Sequence, residues 1–150
     1  PVLGLPRIIS CTDDIRWLFD VVNDPHNGLT FCAGSLSAGA QNDVPAMALE
    51  FAHRTWFVHL RSCEVLPGGD FREASHLGGR ADIVSLVRTF ETINPGLPMR
   101  VDHGRLMLDD ASKGYNAGYS FHGRMLALGQ IDGVMATVDR YLHEQNNSEQ

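Results

Sequence analysis

Three short apolar stretches, each ending abruptly in polar side chains, constrain the fold of this chain most strongly. They run from Leu29 to Cys32, from Thr55 to Leu60 and from Met99 to Val101. A buried parallel strand has this form when its carboxyl end opens into a site. The segments between them carry apolar residues at helical spacing, which predicts an alternation of helix and strand. We therefore expect parallel strands joined by right-handed helical crossovers.

Several of the intervening segments begin with residues that cap helices or with acidic first turns. We predict five helices. The first is capped around Thr12, Asp13 and Asp14, and the second is capped by Asn42 or Asp43. The others run from Ile83 to Ile93, from about Phe121 to Gln130, and from Ile131 to about His143. The other stretches are predicted to be loops, with no hairpin: Pro1 to Arg7, Arg61 to Arg80, Gly104 to Tyr119, and a fraying tail from Glu144 to Gln150. The small residues from Ala33 to Ala40 would let the backbone approach a ligand closely.

The length of the chain and its few strands together indicate part of a larger fold. With 150 residues, 43% of them hydrophobic, it has the content of a single domain. Three parallel strands alone would leave two open sheet edges and little core. Because the sequence also begins without an initiator Met, we expect an α/β chain that forms the C-terminal half of a (β/α)8 TIM-type barrel. In this interpretation residues 1–150 are one unit, and the N-terminal half of the barrel is missing.

Composition excludes several classes of partner. A formal net charge of −6 provides no basic stripe for nucleic acid. No apolar run approaches the roughly 18–20 residues of a membrane span. Three cysteines without framework spacing favour a reducing compartment, so we expect a cytoplasmic protein.

The strand ends carry residues that can bind metal. Cys32 and His59 lie at or near the ends of the first two strands, and Asp102 follows the third. In parallel barrels such positions meet at one edge, where a thiolate, an imidazole and a carboxylate can share a divalent transition metal. The alternative is that Cys32 is a small buried hydrophobe and His59 a hydrogen-bonded core residue.

Other polar residues lie beside these strand ends. His103 could act as a general acid or base, or could orient Asp102. Arg61 and Arg105 suit the bidentate capture of a substrate carboxylate, or could form surface ion pairs. Tyr119 could be a phenol donor or a packing residue.

Together these groups favour proton abstraction α to a carboxylate, with a divalent ion stabilising the enediolate. Loss of a β-hydroxyl would make the protein a sugar-acid dehydratase. The same parts could serve an isomerase or epimerase.

A group of sequence segments is similar to the second half of mannonate dehydratases. The segments are Phe31-Cys32-Ala33-Gly34-Ser35-Leu36, Asn42-Asp43-Val44-Pro45-Ala46-Met47, Phe57-Val58-His59-Leu60-Arg61, Asp70-Phe71-Arg72-Glu73-Ala74-Ser75-His76-Leu77, Met99-Arg100-Val101-Asp102-His103-Gly104-Arg105, and Gly118-Tyr119-Ser120 with Gly123-Arg124. The resemblance covers nearly the whole chain in one order.

The resemblance implies a barrel enzyme that dehydrates D-mannonate to 2-dehydro-3-deoxy-D-gluconate with Mn²⁺ or Fe²⁺. It implies that Cys32, His59 and Asp102 bind the metal and that His103 and Tyr119 act as acid–base or substrate-contacting residues. A further His ligand is expected upstream of Pro1. We expect substrate contacts from Arg61, Arg105, Ser35 and His76.

We also expect a homo-oligomer or association with the missing N-terminal half. A metal-dependent sugar isomerase of the barrel type and a non-catalytic interaction module are the competing interpretations.

Overall fold

The computed structural model describes residue 5 and residues 7–148, so residues 1–4 and 6 of the predicted N-terminal loop and residues 149 and 150 of the predicted tail lie outside the described part. In chain order the elements are α1 (Thr12–Val21), β1 (Leu29–Cys32), α2 (Ala33–Ser37), α3 (Val44–Phe51), a 3₁₀ turn (Ala52–Arg54), β2 (Thr55–Leu60), β3 (Cys63–Val65), β4 (Phe71–Glu73), α4 (Ile83–Ile93), β5 (Met99–Val101) and α5 (Phe121–Ser148).

The main sheet has three parallel strands in the order β1-β2-β5. All three strands have the predicted bounds, and helices alternate with them along the chain, so the expected parallel α/β architecture is confirmed to this extent. In the register of the sheet, His59 lies between Cys32 of β1 and Arg100 of β5. The carboxyl ends of the strands are therefore level, and the residues that follow them share one edge.

The core lies between this sheet and the helices that follow its strands. Phe31 of β1 and Phe90 of α4 meet edge to face, with ring centroids 5.2 Å apart, and both are fully buried. The periodic apolar residues of α4 are all buried: Ile83, Leu86, Val87 and Phe90. This helix begins as predicted after Asp82, whose carboxylate accepts a hydrogen bond from the Ser85 N–H.

The start of α1 differs slightly from the prediction. Its N-cap is Cys11, whereas Thr12 already lies within the helix. The carboxylate of Asp14 reaches back and accepts hydrogen bonds from the N–H groups of Ser10 and Cys11, at 2.7 and 3.1 Å. An acidic residue in the first turn thus holds the helix start. For α3 the cap is Asp43, one of the two predicted residues.

The prediction that the chain contains no hairpin was wrong. Strands β3 and β4 pair antiparallel within the segment predicted to be a loop, with Cys63 opposite Glu73. The connecting turn places Gly68 and Gly69 at φ +105° and +92°, a region that glycine enters without steric cost. Each strand has only three residues, which is too short for an alternating pattern to be read from the sequence.

Two further differences concern helices. Residues 33–37, for which no helix was predicted, form the short helix α2. The two predicted C-terminal helices are one helix, α5, which continues to Ser148 through most of the expected tail. Buried Ile131 and Val138 hold α5 against the core across the predicted break. No helix in the described residues is both long and apolar enough to cross a membrane.

Candidate metal centre and active site

The three predicted metal ligands lie together at the carboxyl edge of the sheet. One ligand atom from each of Cys32, His59 and Asp102 falls within 4.8 Å of the other two. Oδ2 of Asp102 is 3.9 Å from the Cys32 sulfur and 3.8 Å from Nδ1 of His59. Sulfur, imidazole nitrogen and carboxylate oxygen form a donor set that fits a divalent transition metal. These residues could therefore hold a metal ion.

Neighbouring groups donate hydrogen bonds to Cys32 and Asp102 and shift the pKa of His59. Ser35 Oγ donates a hydrogen bond to the Cys32 sulfur at 3.2 Å, and Arg100 donates one to Oδ1 of Asp102 at 3.0 Å. Burial lowers the pKa of His59, and its cationic neighbours Arg100 and Arg61 act in the same direction against the opposing charge of Asp102. Because only the neutral imidazole binds metal, this environment favours the ligand form of His59.

His103 and Tyr119 lie side by side next to this cluster. Their ring centroids are 4.9 Å apart, and Nε2 of His103 is 3.8 Å from Oδ1 of Asp102. Strand β5 ends at Val101, so the alternation of side chains no longer applies and Asp102 and His103 can face the same edge. The Tyr119 ring is half exposed. The structure thus brings together the two residues predicted to act in acid–base chemistry or to contact the substrate.

Two glycines allow the loop after β5 to pack closely against His103. The Gly104 N–H donates to the Gly118 carbonyl at 3.0 Å. Gly118 has φ +85°, and a Cβ there would lie 2.7 Å from Nδ1 of His103. The absence of a side chain at Gly118 therefore leaves room for the imidazole.

Glu73 is a site residue that the sequence prediction did not single out. Arg61 donates from Nε to Oε2 of Glu73 at 2.9 Å and from Nη2 to Oε1, so the pair is bidentate. Oε1 of Glu73 also lies 3.0 Å from Nδ1 of His103. Burial alone would lower the pKa of Arg61, but the hydrogen bonds and charge of Glu73 outweigh it and raise that pKa. The predicted guanidinium clamp is therefore already occupied by a carboxylate of the chain itself.

The sequence contained only part of the information needed to identify Glu73 as a site residue. It lies in the segment Asp70 to Leu77 that carried the resemblance, but that segment contains two acidic residues, and only the hairpin brings Glu73 to the sheet edge.

A cleft of about 860 Å³ opens beside His103. Arg105, Glu73 and Gly118 are among its lining residues. Arg105 is exposed, whereas Arg61 is buried. This arrangement provides a polar cavity next to His103.

The structure does not bring the other two predicted substrate contacts into this cleft. Ser35 lines a second cavity, of about 670 Å³, together with residues of the β3–β4 turn. His76 is 2% exposed, and its Nε2 has no hydrogen-bond partner among the described residues. Burial lowers the pKa of His76, which favours its neutral form.

A second group of ligand-type atoms belongs to Asp109, Asp110 and His122. Its central carboxylate, Asp110, is fully buried and accepts hydrogen bonds from the N–H groups of Met107 and His122. These bonds tie the long loop to the start of α5, which accounts for the burial of this carboxylate.

Comparison with known proteins gives consistent matches. A family model described as D-mannonate dehydratase (UxuA) matches residues 1–145. The chain is similar to mannonate dehydratase 2 of Agrobacterium fabrum, at 42% identity over 96% of this chain and 38% of that protein. It is similar to the mannonate dehydratase of Saccharophagus degradans, at 43% identity over 92% of this chain and 38% of that protein.

Its fold is similar to the crystal structure of mannonate dehydratase from Streptococcus suis serotype 2, with a TM-score of 0.84 and 28% identity over 95% of this chain and 41% of that one. The chain therefore spans about two fifths of the length of the relatives it matches.

Proposed function

The chain belongs to the D-mannonate dehydratase family, and from this premise we propose that it carries most of the catalytic site of an enzyme that dehydrates D-mannonate to 2-dehydro-3-deoxy-D-gluconate. The observation that carries the proposal is the meeting of a Cys32, His59 and Asp102 donor set with His103 and Tyr119 at one sheet edge. A metal-assisted hydro-lyase needs both kinds of group within reach of one substrate.

The loss of water needs two proton transfers. A base removes the hydrogen from C2, next to the carboxylate, and the C2–H electrons form a C2–C3 double bond. The hydroxyl on C3 leaves as water after an acid protonates it. The resulting enol becomes the 2-keto acid by moving its proton to C3. His103 and Tyr119 provide the acid and the base, and their adjacent rings support this pairing.

Cys32, His59 and Asp102 would hold Mn²⁺ or Fe²⁺. When bound, such an ion supplies positive charge that lowers the energy of the negative charge developing next to the substrate carboxylate. Arg105, exposed in the cleft beside His103, binds that carboxylate. Its position supports a substrate that lies along this cleft.

The remainder of the site comes from outside the chain. Residues 1–150 form one unit that is the C-terminal half of a (β/α)8 barrel, and an N-terminal half supplies a further His ligand and closes the sheet. The parallel β1-β2-β5 sheet and the share of its relatives that the chain covers support this arrangement. The same half, or a second copy of the chain, covers the open edges.

The three free cysteines support a cytoplasmic location.

A chimaera tests this proposal. The matching segment of the Agrobacterium fabrum relative is replaced by this chain, and the metal-loaded chimaera is given D-mannonate. We expect a 2-keto-3-deoxy acid by NMR, and a loss of at least about 100-fold in kcat for His103→Gln. A keto sugar acid formed without loss of water would instead indicate an isomerase. Absence of any product, with the metal bound, would indicate a non-catalytic module.

A further inference from the structure

Glu73 connects the most buried cation of the site to its imidazole. Both carboxylate oxygens accept from Arg61, and Oε1 is shared with Nδ1 of His103. The side chains of Arg61 and Glu73 are 8% and 14% exposed, so water competes little for these bonds. A carboxylate held on both oxygens by a guanidinium offers only hydrogen-bond acceptors to its other neighbours.

We propose that Glu73 is a positioning residue that fixes the ring of His103 with a proton on Nδ1. A carboxylate oxygen can only accept, so at 3.0 Å the donor is Nδ1 of His103. Nε2 is then the nitrogen that faces Asp102. A ring held in this way presents Nε2 to a substrate on the metal side. The catalytic meaning of the proposal rests on the proposed function, whereas the proton on Nδ1 does not.

The fold makes this carboxylate rigid. Glu73 ends β4 and pairs with Cys63 in the hairpin, so its backbone is fixed. The Arg61 side chain packs over Gly34, where an added Cβ would collide with it. Gly34 is two residues after Cys32, so the anchor of Glu73 packs on the segment that follows a proposed metal ligand. In this arrangement Arg61 orients Glu73 and leaves the capture of the substrate carboxylate to Arg105.

Imidazole ¹⁵N NMR on the full chain tests the protonation of Nδ1 directly. With ¹⁵N-labelled histidine, the His103 signals are assigned by their loss in His103→Gln. We expect Nδ1 at the shift of a protonated nitrogen. A wild-type spectrum with Nδ1 unprotonated overturns the proposal, and this measurement needs no variant of Glu73 to fold.

Two matched variants test the role of the carboxylate. In Glu73→Gln, Arg61 still needs an oxygen acceptor, so the amide NH₂ can turn to Nδ1, and we expect Nδ1 to lose its proton. Glu64→Gln removes a charge from the same hairpin, but its partner is the exposed Arg72, so the His103 signals should stay unchanged. A His103 spectrum that is the same in Glu73→Gln and wild type contradicts the proposal.

Kinetics separate this inference from the proposed function. In the active chimaera, Glu73→Gln should lower kcat by about 10–100-fold while KM changes much less, and Glu73→Asp should restore part of the loss. A loss confined to KM would contradict a positioning role. Absence of turnover in the parent chimaera would refute the dehydratase and leave the Nδ1 result standing.

Discussion

The buried Arg61–Glu73 pair should couple strongly in a double-mutant cycle. Arg61→Met leaves Glu73 without its cation, and Glu73→Leu leaves a guanidinium that is 8% exposed without its anion. Two charge-assisted hydrogen bonds of about 1.5–3 kcal/mol each set an upper range of about 3–6 kcal/mol. Because Glu73 keeps some contact with water, we expect each single change to lower the free energy of unfolding by about 3 kcal/mol.

The double variant should be more stable than the sum of these losses predicts. Replacing both charges by apolar side chains removes the unpaired group, so we expect a total loss of about 2 kcal/mol or less and a coupling energy of about 4 kcal/mol. Urea unfolding measures this, and a 3 kcal/mol loss moves the midpoint by about 1.5 M at a slope of about 2 kcal/mol/M.

The exposed Glu64–Arg72 pair on the same hairpin is the control, with an expected coupling of about 0–1 kcal/mol. Equal coupling energies for the two pairs would refute the argument that burial makes the Arg61–Glu73 pair strong.

Two further predictions concern stability. Burial lowers the pKa of His76 in the folded chain below its usual 6.5. Between that lowered pKa and 6.5, the unfolded chain therefore binds more protons than the folded chain. The free energy of unfolding should fall as pH drops through about 6.5. Urea titrations at several pH values should show a smaller fall in His76→Leu, and an unchanged pH profile would contradict this reasoning. Gly104→Ala places a Cβ 2.5 Å from the Arg124 backbone nitrogen and should cost about 2 kcal/mol. Gly129→Ala, with nothing within 4 Å of its Cβ, should instead stabilise α5 by about 0.5–1 kcal/mol. Thermal unfolding that ranks the two variants in the opposite order would contradict this packing argument.

The sequence was informative wherever a local pattern determines the structure. The strands of the main sheet are short apolar runs, and α4 has both an Asp82 cap and a regular apolar face. Since parallel strands end level at one edge, sequence position alone was enough to predict that Cys32, His59 and Asp102 would lie together.

The rest depends on contacts between distant residues. Glu73 belongs to the site because a hairpin of two three-residue strands carries it to Arg61 and His103. No local pattern distinguishes that carboxylate from its neighbour Asp70. In the same way, the continuity of α5 depends on Ile131 and Val138 packing on the core rather than on helix propensity alone.

The metal content of the purified full chain tests the central claim most directly. After incubation with Mn²⁺ or Fe²⁺ and gel filtration, elemental analysis should find close to one ion per chain. That ion should be lost in the double variant Cys32→Ser, His59→Ala and kept in Cys11→Ser, which changes a thiol outside the cluster. Chains without bound metal, or a double variant that retains it, would contradict a metal centre at the carboxyl edge of the sheet.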